Sequence, residues 1–74
     1  MAKKEIRSEV AGNVWQIEVE AGASVEEDDT LIILESMKME MPIEAPADGT
    51  ITEICVAEGA AVQEGQVVAR MDED

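Results

Sequence analysis

The chain of 74 residues consists of two copies of one pattern. At an offset of 37 positions the matching residues are Gly12 and Gly49, Ile17 and Ile54, Val19 and Val56, Gly22 and Gly59, Ala23 and Ala60, Val25 and Val62, and Glu27 and Glu64. A fixed internal offset is the signature of a structural repeat. At this length the two copies predict a single small domain, residues 1–74, with pseudo-twofold symmetry.

Each copy has the alternation of a β-strand. In residues 14–20 apolar side chains alternate with Glu18 and Glu20, and residues 51–57 repeat the pattern. Each run is followed by Gly-Ala-x-Val, a polar turn and a second apolar run. Both copies break the period of two at the same place, since Val14 and Ile17 are three residues apart, as are Ile51 and Ile54. A shared break predicts a β-bulge in both copies.

Short strands at regular spacing predict an all-β flattened barrel or sandwich with no helix of consequence. The glycines fall at the joints, where a positive φ or a close backbone approach is expected. Further strands are predicted over residues 30–35 and 39–45. Residues 31–34 are uniformly apolar, which predicts a strand covered on both faces. Trp15 is expected to anchor the core or its rim, and Pro42 and Pro46 to mark an edge strand and its exit.

Composition excludes several functions. The chain has 18 acidic and 5 basic residues and a net charge of −13, so it is not expected to bind nucleic acid or anionic membranes. It has no His, so the commonest general base and metal ligand is missing, and catalysis by this chain alone is not expected. No stretch approaches the roughly 20 apolar residues of a membrane span. We expect a monomeric protein in the cytoplasm, with Cys55 as a free thiol.

Lys38 is the only lysine outside Lys3 and Lys4, and it lies at the join between the two copies. No linker separates the predicted strands on either side, so Met37 and Lys38 form the centre of a predicted two-residue hairpin. Such turns favour Asn-Gly or Asp-Gly, because their central residues take positive φ. A lysine at this place, with glycine used at the other joints, indicates that its side chain is required.

The chemistry of Lys38 favours an acceptor over a catalyst. A protonated amine is a poor nucleophile, and no neighbouring group in the sequence favours the neutral form. Glu35 and Glu40 would face each other across the hairpin, either splayed into solvent or as an acidic mark. The acidic run of residues 26–29 lacks the spacing of a calcium loop and is expected to be a solvated turn.

The residues around Lys38 resemble a known family. Residues 35–40 read Glu-Ser-Met-Lys-Met-Glu, preceded by Asp-Thr-Leu-Ile-Ile-Leu and followed by Pro-Ile-Glu-Ala-Pro-Ala-Asp-Gly. This arrangement, between two such repeats, is similar to the biotinyl domain of biotin-dependent carboxylases, the biotin carboxyl carrier family. The resemblance covers about residues 6–71, and it implies an all-β flattened barrel or sandwich of two four-stranded antiparallel sheets with pseudo-twofold symmetry. Related lipoyl domains share the fold but usually carry Asp-Lys-Ala or a similar triplet.

The resemblance implies a role for each residue of the tip. Biotin protein ligase would attach biotin to Lys38 through an amide bond, with Met37 and Met39 as flanking recognition residues. Glu35, Ser36 and Glu40 would contribute to ligase recognition. A biotin carboxylase would then load a carboxyl group on the biotin, and a carboxyltransferase would pass it to an acyl-CoA or pyruvate-type acceptor. The chain itself would be a non-catalytic carrier.

Two departures from the family refine this hypothesis. Asp28 stands where the second copy has Gly65, a position of expected positive φ that Asp tolerates. Only Ala23 and Ser24 separate Gly22 from Val25, so the extra loop, or thumb, of some bacterial acetyl-CoA carboxylase carriers is missing. Two alternatives stay open: a lipoyl carrier of a 2-oxoacid dehydrogenase or glycine-cleavage type system, and a non-carrier interaction protein with the same fold.

Overall fold

Eight β-strands form the protein in the computed structural model, which describes residues 2–74. Met1, the first residue of the predicted domain, lies outside that range. The strands are β1 (Ala2–Arg7), β2 (Gly12–Ile17), β3 (Ser24–Val25), β4 (Thr30–Ser36), β5 (Met39–Glu44), β6 (Gly49–Ile54), β7 (Ala61–Val62) and β8 (Val67–Glu73). Residues 2–74 contain no helix, hence none that could cross a membrane. The all-β prediction is confirmed.

The strands form two four-stranded antiparallel sheets. Sheet A has the order β1-β8-β6-β3, and sheet B has the order β5-β4-β2-β7. Every strand of the first copy has its counterpart 37 residues later. Strand β1 corresponds to β5, β2 to β6, β3 to β7 and β4 to β8. The symmetry exchanges the sheets, and each sheet takes two strands from each copy. The copies therefore interlock, because neither can complete a sheet alone.

The predicted bulges are present in both copies. The β2–β4 register shifts between Val14 and Gln16, and the β6–β8 register shifts between Ile51 and Glu53. Trp15 and Thr52 are the extra residues. Each insertion resets the alternation, so that the apolar residues on both sides of the bulge face the interior.

A second symmetric pair of bulges lies in the β4–β5 and β1–β8 ladders. The bulge in β4 corrects the interpretation of residues 31–34. The β4–β5 register shifts between Thr30 and Ile32, so Leu31 is the extra residue. Leu31 and Ile32 are both fully buried, whereas Ile33 faces outward and is half-buried. The absence of alternation thus comes from a bulge, and the prediction that the strand is covered on both faces is wrong.

Some predicted strand bounds also differ from the structure. The strands predicted over residues 14–20 and 51–57 begin two residues earlier, because Gly12 and Gly49 already pair with a neighbouring strand of the same sheet. They end earlier too, although Glu18 still donates its backbone N–H to the Leu31 carbonyl. Strand β4 extends to Ser36, and β5 ends at Glu44. The sequence interpretation also missed β1, although Ile6 and its counterpart Ile43 keep the same offset.

The hydrophobic core lies between the two sheets. Its buried side chains are Ile6, Val14, Val25, Leu31, Ile32, Leu34, Ala45, Ile51, Val62, Val68, Ala69 and Met71. Trp15 is not among them: 45% of its surface is exposed, so of the two predicted positions, core or rim, the core is wrong. As the inserted residue of the β2 bulge, it shares the outer face of sheet B with Gln16 and Ile33.

Glycine permits close packing directly below the hairpin. A Cβ at Gly12 would lie 2.7 Å from the Glu35 carbonyl oxygen and 3.3 Å from the Ser36 Cβ. At the equivalent Gly49 a Cβ would overlap the Asp72 carbonyl oxygen. The close approach of β2 to the end of β4 supports the strand that carries the hairpin.

Candidate functional site

The site is the hairpin between β4 and β5. Ser36 pairs with Met39, and the two strands continue in register to Ile33 and Pro42. Met37 and Lys38 are the only residues of the turn, with φ values of 51° and 66°. Two consecutive positive φ values characterise a type I′ hairpin. The predicted two-residue turn is confirmed, and so is its unfavourable backbone for these residue types.

The tip extends beyond the core. Leu34 is the last fully buried residue of β4, and Ser36 is half-buried against Gly12. From Met37 onward the side chains enter solvent: Met37 is 93% exposed, and Met39 is 65% exposed. Met39 shares a face with Met41 by register, but its exposure leaves it little part in core packing. Both methionines therefore present thioethers beside Lys38.

Lys38 is exposed, and no carboxylate of residues 2–74 forms an ion pair with its ammonium group. Three other basic residues, Lys4, Arg7 and Arg70, do form ion pairs with glutamates. An unpaired, exposed primary amine at the end of a rigid hairpin fits an amide-linked prosthetic group. No ion pair within residues 2–74 has to break before the amine can react.

Glu35 and Glu40 flank the turn as predicted. The register places them directly opposite each other in β4 and β5, and both are exposed. Two carboxylates in a cross-strand pair repel each other and favour conformations that point into solvent. They give the base of the hairpin a negative potential on both strands.

The acidic run of residues 26–29 forms a turn held by two carboxylates, one from the run itself and one from a later loop. Asp29 accepts the backbone N–H of Glu26, and Asp48 accepts that of Glu27. Asp28 has a φ of 73°, close to the 83° of its counterpart Gly65. The predictions of a turn and of positive φ at Asp28 are confirmed. In residues 2–74 no group of acidic, Cys or His side chains is arranged to bind a metal ion.

Arg70 forms a network that the sequence interpretation missed. On the outer face of sheet A it donates a hydrogen bond of 2.8 Å to Glu53 and one of 3.3 Å to the Cys55 sulfur. It also lies 3.6 Å from Glu5, which binds Arg7 at 2.8 Å. The hydrogen bond to Glu53 raises the pKa of Arg70, and the charges of Cys55 and Glu53 add to the effect. The strand register explains the network, because it places Glu5, Arg70 and Glu53 in one cross-strand row.

Comparison with known proteins agrees with this geometry. Residues 3–71 match the sequence profile of a family described as biotin-requiring enzyme. The chain belongs to the biotin/lipoyl attachment family. One member, the biotin/lipoyl attachment protein of Bacillus subtilis, is 43% identical over 63 residues, which are 85% of this chain and 86% of that protein. The biotinylated protein TB7.3 homolog of Mycobacterium leprae is 33% identical over 66 residues, covering 89% of this chain and 93% of that protein.

Solved structures place the fold within larger enzymes. A single-chain, multi-domain long-chain acyl-CoA carboxylase aligns with a TM-score of 0.92 and 25% identity. The alignment covers 97% of this chain and 7% of that one. The chain is thus a biotin carrier domain of the kind found in biotin-dependent carboxylases, and its cofactor is biotin.

Proposed function

We propose that Lys38 is the residue that carries biotin, and that biotin protein ligase attaches it with the energy of ATP. The observation that carries the proposal is the backbone of the turn. Lys38 has a φ of 66° at an exposed hairpin position where glycine would be more stable. A strained, exposed lysine without a structural contact is explained if its side chain is the functional group.

The attachment requires one simple step at Lys38. Its ε-ammonium group loses a proton, and the neutral amine attacks the activated carboxyl carbon. The nitrogen loses a second proton as the amide forms, while the activating group leaves with its electron pair. In residues 2–74 no basic side chain is bonded to Lys38 to take that proton. The ligase must therefore supply the base, which agrees with a substrate role for this chain.

We propose further that the chain shuttles a carboxyl group between a biotin carboxylase and a carboxyltransferase. When bound, biotin supplies the nitrogen that holds the carboxyl group. The chain supplies a rigid β-sandwich and an exposed hairpin, and it takes no catalytic part. Tethering raises the effective concentration of the cofactor at each active site far above that of free biotin. An acyl-CoA or pyruvate is the acceptor class we expect.

The attachment is tested by incubation of the wild-type chain with biotin protein ligase, ATP and biotin. We expect the intact mass to rise by one biotinyl group, and the Lys38→Arg variant to stay unmodified. Lys3 and Lys4 remain in that variant as internal controls for site specificity. An unmodified wild type, or equal modification of the variant, would disprove the assignment.

A parallel reaction with lipoate ligase and lipoate distinguishes the lipoyl carrier from the biotin carrier. The two exposed methionines beside Lys38 differ from the usual lipoyl triplet, so we expect no lipoyl transfer. Efficient lipoylation with no biotinylation would replace the proposal by its alternative.

A further inference from the structure

The two sheets have the same backbone but different outer faces. At the bulge of sheet A the cross-strand row consists of Glu5, Arg70, Glu53 and Thr52, and ion pairs link Arg70 to both Glu5 and Glu53. The equivalent row of sheet B consists of Pro42, Ile33, Gln16 and Trp15. Sheet A thus uses this row for polar cross-links within the molecule, whereas sheet B presents mainly apolar side chains there.

Trp15, Ile33 and Pro42 form what we call the apolar strip. Ile33 pairs with Pro42 on one side and with Gln16 on the other, and Trp15 is inserted opposite Ile33 by the bulge. Neighbours in such a row have Cβ atoms about 5 Å apart. Trp15 and Pro42 are exposed and Ile33 is half-buried. A tryptophan that packs into no core is a common anchor of protein interfaces.

The charges of sheet B set the chemistry of the partner. Its strands carry Glu35, Glu40 and Glu44 but no Lys or Arg. The strands of sheet A carry equal numbers of basic and acidic residues, namely Lys3, Lys4, Arg7 and Arg70 with Glu5, Glu53, Asp72 and Glu73. The apolar strip therefore has an acidic border, which complements an apolar patch surrounded by Lys and Arg. It opposes a second copy of this chain, whose own carboxylates would be brought close together.

The strip is continuous with the hairpin. Ile33 lies on β4, three residues before that strand ends at Ser36 and the turn begins, which corresponds to about 10 Å along a β-strand. Glu35 and Glu40 lie between the two. A protein that takes Lys38 into an active site must therefore cover the hairpin base, and its surface beyond the cleft reaches the strip.

We propose that the apolar strip is the docking face for the biotin protein ligase. In this arrangement Trp15 contacts an apolar patch of the ligase, and basic residues around that patch meet the acidic border. The inference rests on the proposed function and adds a recognition face beyond the hairpin. It predicts that the face contributes to binding of the carrier and not to the acylation of Lys38.

The test is the initial rate of biotinylation as a function of carrier concentration. Trp15→Thr introduces the residue that stands at the equivalent bulge of sheet A, and we expect KM to rise roughly fivefold with kcat within about twofold. Thr52→Ala, at that equivalent bulge, is the matched control and should leave both constants unchanged. Glu44→Gln should raise KM about twofold at low salt, and the difference should vanish at high salt. Equal urea midpoints verify that the variants are folded.

The outcomes are distinct. Equal KM values for Trp15→Thr and Thr52→Ala would overturn the docking face alone, and so would a fall in kcat at constant KM. A wild-type chain that sediments as a dimer and a Trp15→Thr variant that sediments as a monomer would assign the strip to self-association instead. A wild-type chain that accepts no biotin would overturn the proposed function and the docking face together.

Discussion

Sheets A and B follow one backbone plan and differ in what they expose. Their bulges, loop hydrogen bonds and core positions recur at an offset of 37 residues. Sheet A joins its outer side chains through Arg70, whereas sheet B exposes Trp15 and continues into the Lys38 hairpin. The difference teaches that the repeat maintains the fold, and that the proposed function lies where the copies diverge.

The divergence is greatest at the hairpin. The closing pair Ser36 and Met39 corresponds to the pair Glu73 and Ala2 in sheet A. In sheet B a two-residue turn connects the pair, whereas in sheet A the paired residues Ala2 and Glu73 are distant in sequence and no turn connects them. One place of a symmetric scaffold has thus become a strained loop with an exposed lysine, and the following predictions compare such equivalent positions.

The largest effect is expected at the two close-approach glycines. Gly49→Ala should lower the free energy of unfolding by about 3 kcal/mol, because the new methyl group overlaps the Asp72 carbonyl. Gly12→Ala should cost less, about 1–2 kcal/mol, because its Cβ would lie 2.7 Å from the Glu35 oxygen. Urea unfolding followed by far-UV circular dichroism measures both. Equal losses would show that the sheets pack equally tightly at this position.

The next effect separates stability from function at the hairpin. Replacement of Met37 by Asn and Lys38 by Gly supplies the residues that a type I′ turn prefers. We expect the free energy of unfolding to rise by about 1–2 kcal/mol, because two strained positions are relieved. Biotin incorporation should be lost. An unchanged stability would mean that the turn carries no strain.

A smaller effect is expected at Asp28 and Gly65. Asp28→Gly should raise the free energy of unfolding by about 0.5–1 kcal/mol, because φ is 73° there. Gly65→Ala should lower it by about 1 kcal/mol, because no atom lies within 4 Å of the new Cβ and only the backbone is strained. Thermal or urea denaturation checks both. A loss of stability in Asp28→Gly would reveal a contact of that side chain.

The smallest effect is expected from Arg70→Ile, which gives sheet A the residue of the equivalent position in sheet B. The ion pairs of Arg70 are solvent-exposed, so the urea midpoint should change little, and less still at high salt. In the unfolded state Arg70 is charged between about pH 6 and 9 because the ordinary pKa of arginine lies far above that range. Folding raises the pKa further, so Arg70 is charged in both states and its titration adds no pH dependence there. A large fall in the urea midpoint of Arg70→Ile that does not depend on salt would contradict the small contribution expected of these ion pairs.

Much of the fold was predictable because it depends on local patterns. The repeat, the alternation and the shared break at Val14 and Ile17 predicted the all-β sandwich, its symmetry and the first pair of bulges, whereas the number of strands in each sheet came from the family resemblance. The hairpin was predictable for the same reason, since two adjacent strands leave only Met37 and Lys38 to turn. The assignment of biotin to Lys38 depended on the resemblance of residues 35–40 to a family.

Other features could not be predicted, because they depend on residues distant in sequence. The bulge at Leu31 arises from pairing with β5 and is invisible in a uniformly apolar run. Trp15 is exposed because the bulge in β2 places it on the outer face of sheet B. Its residue type alone favoured burial. The Arg70 network needs three strands in register.

The sequence by itself determined the β-strands, the symmetry, the position of the turn and the lone central lysine, because each is written in neighbouring residues or in a fixed offset. Only the tertiary structure decided which side chains share an outer face. Cross-strand neighbours are set by register, and each bulge changes that register by one residue. The contrast between the ionic row of sheet A and the apolar strip beside Lys38 therefore appears only once the two copies have interlocked.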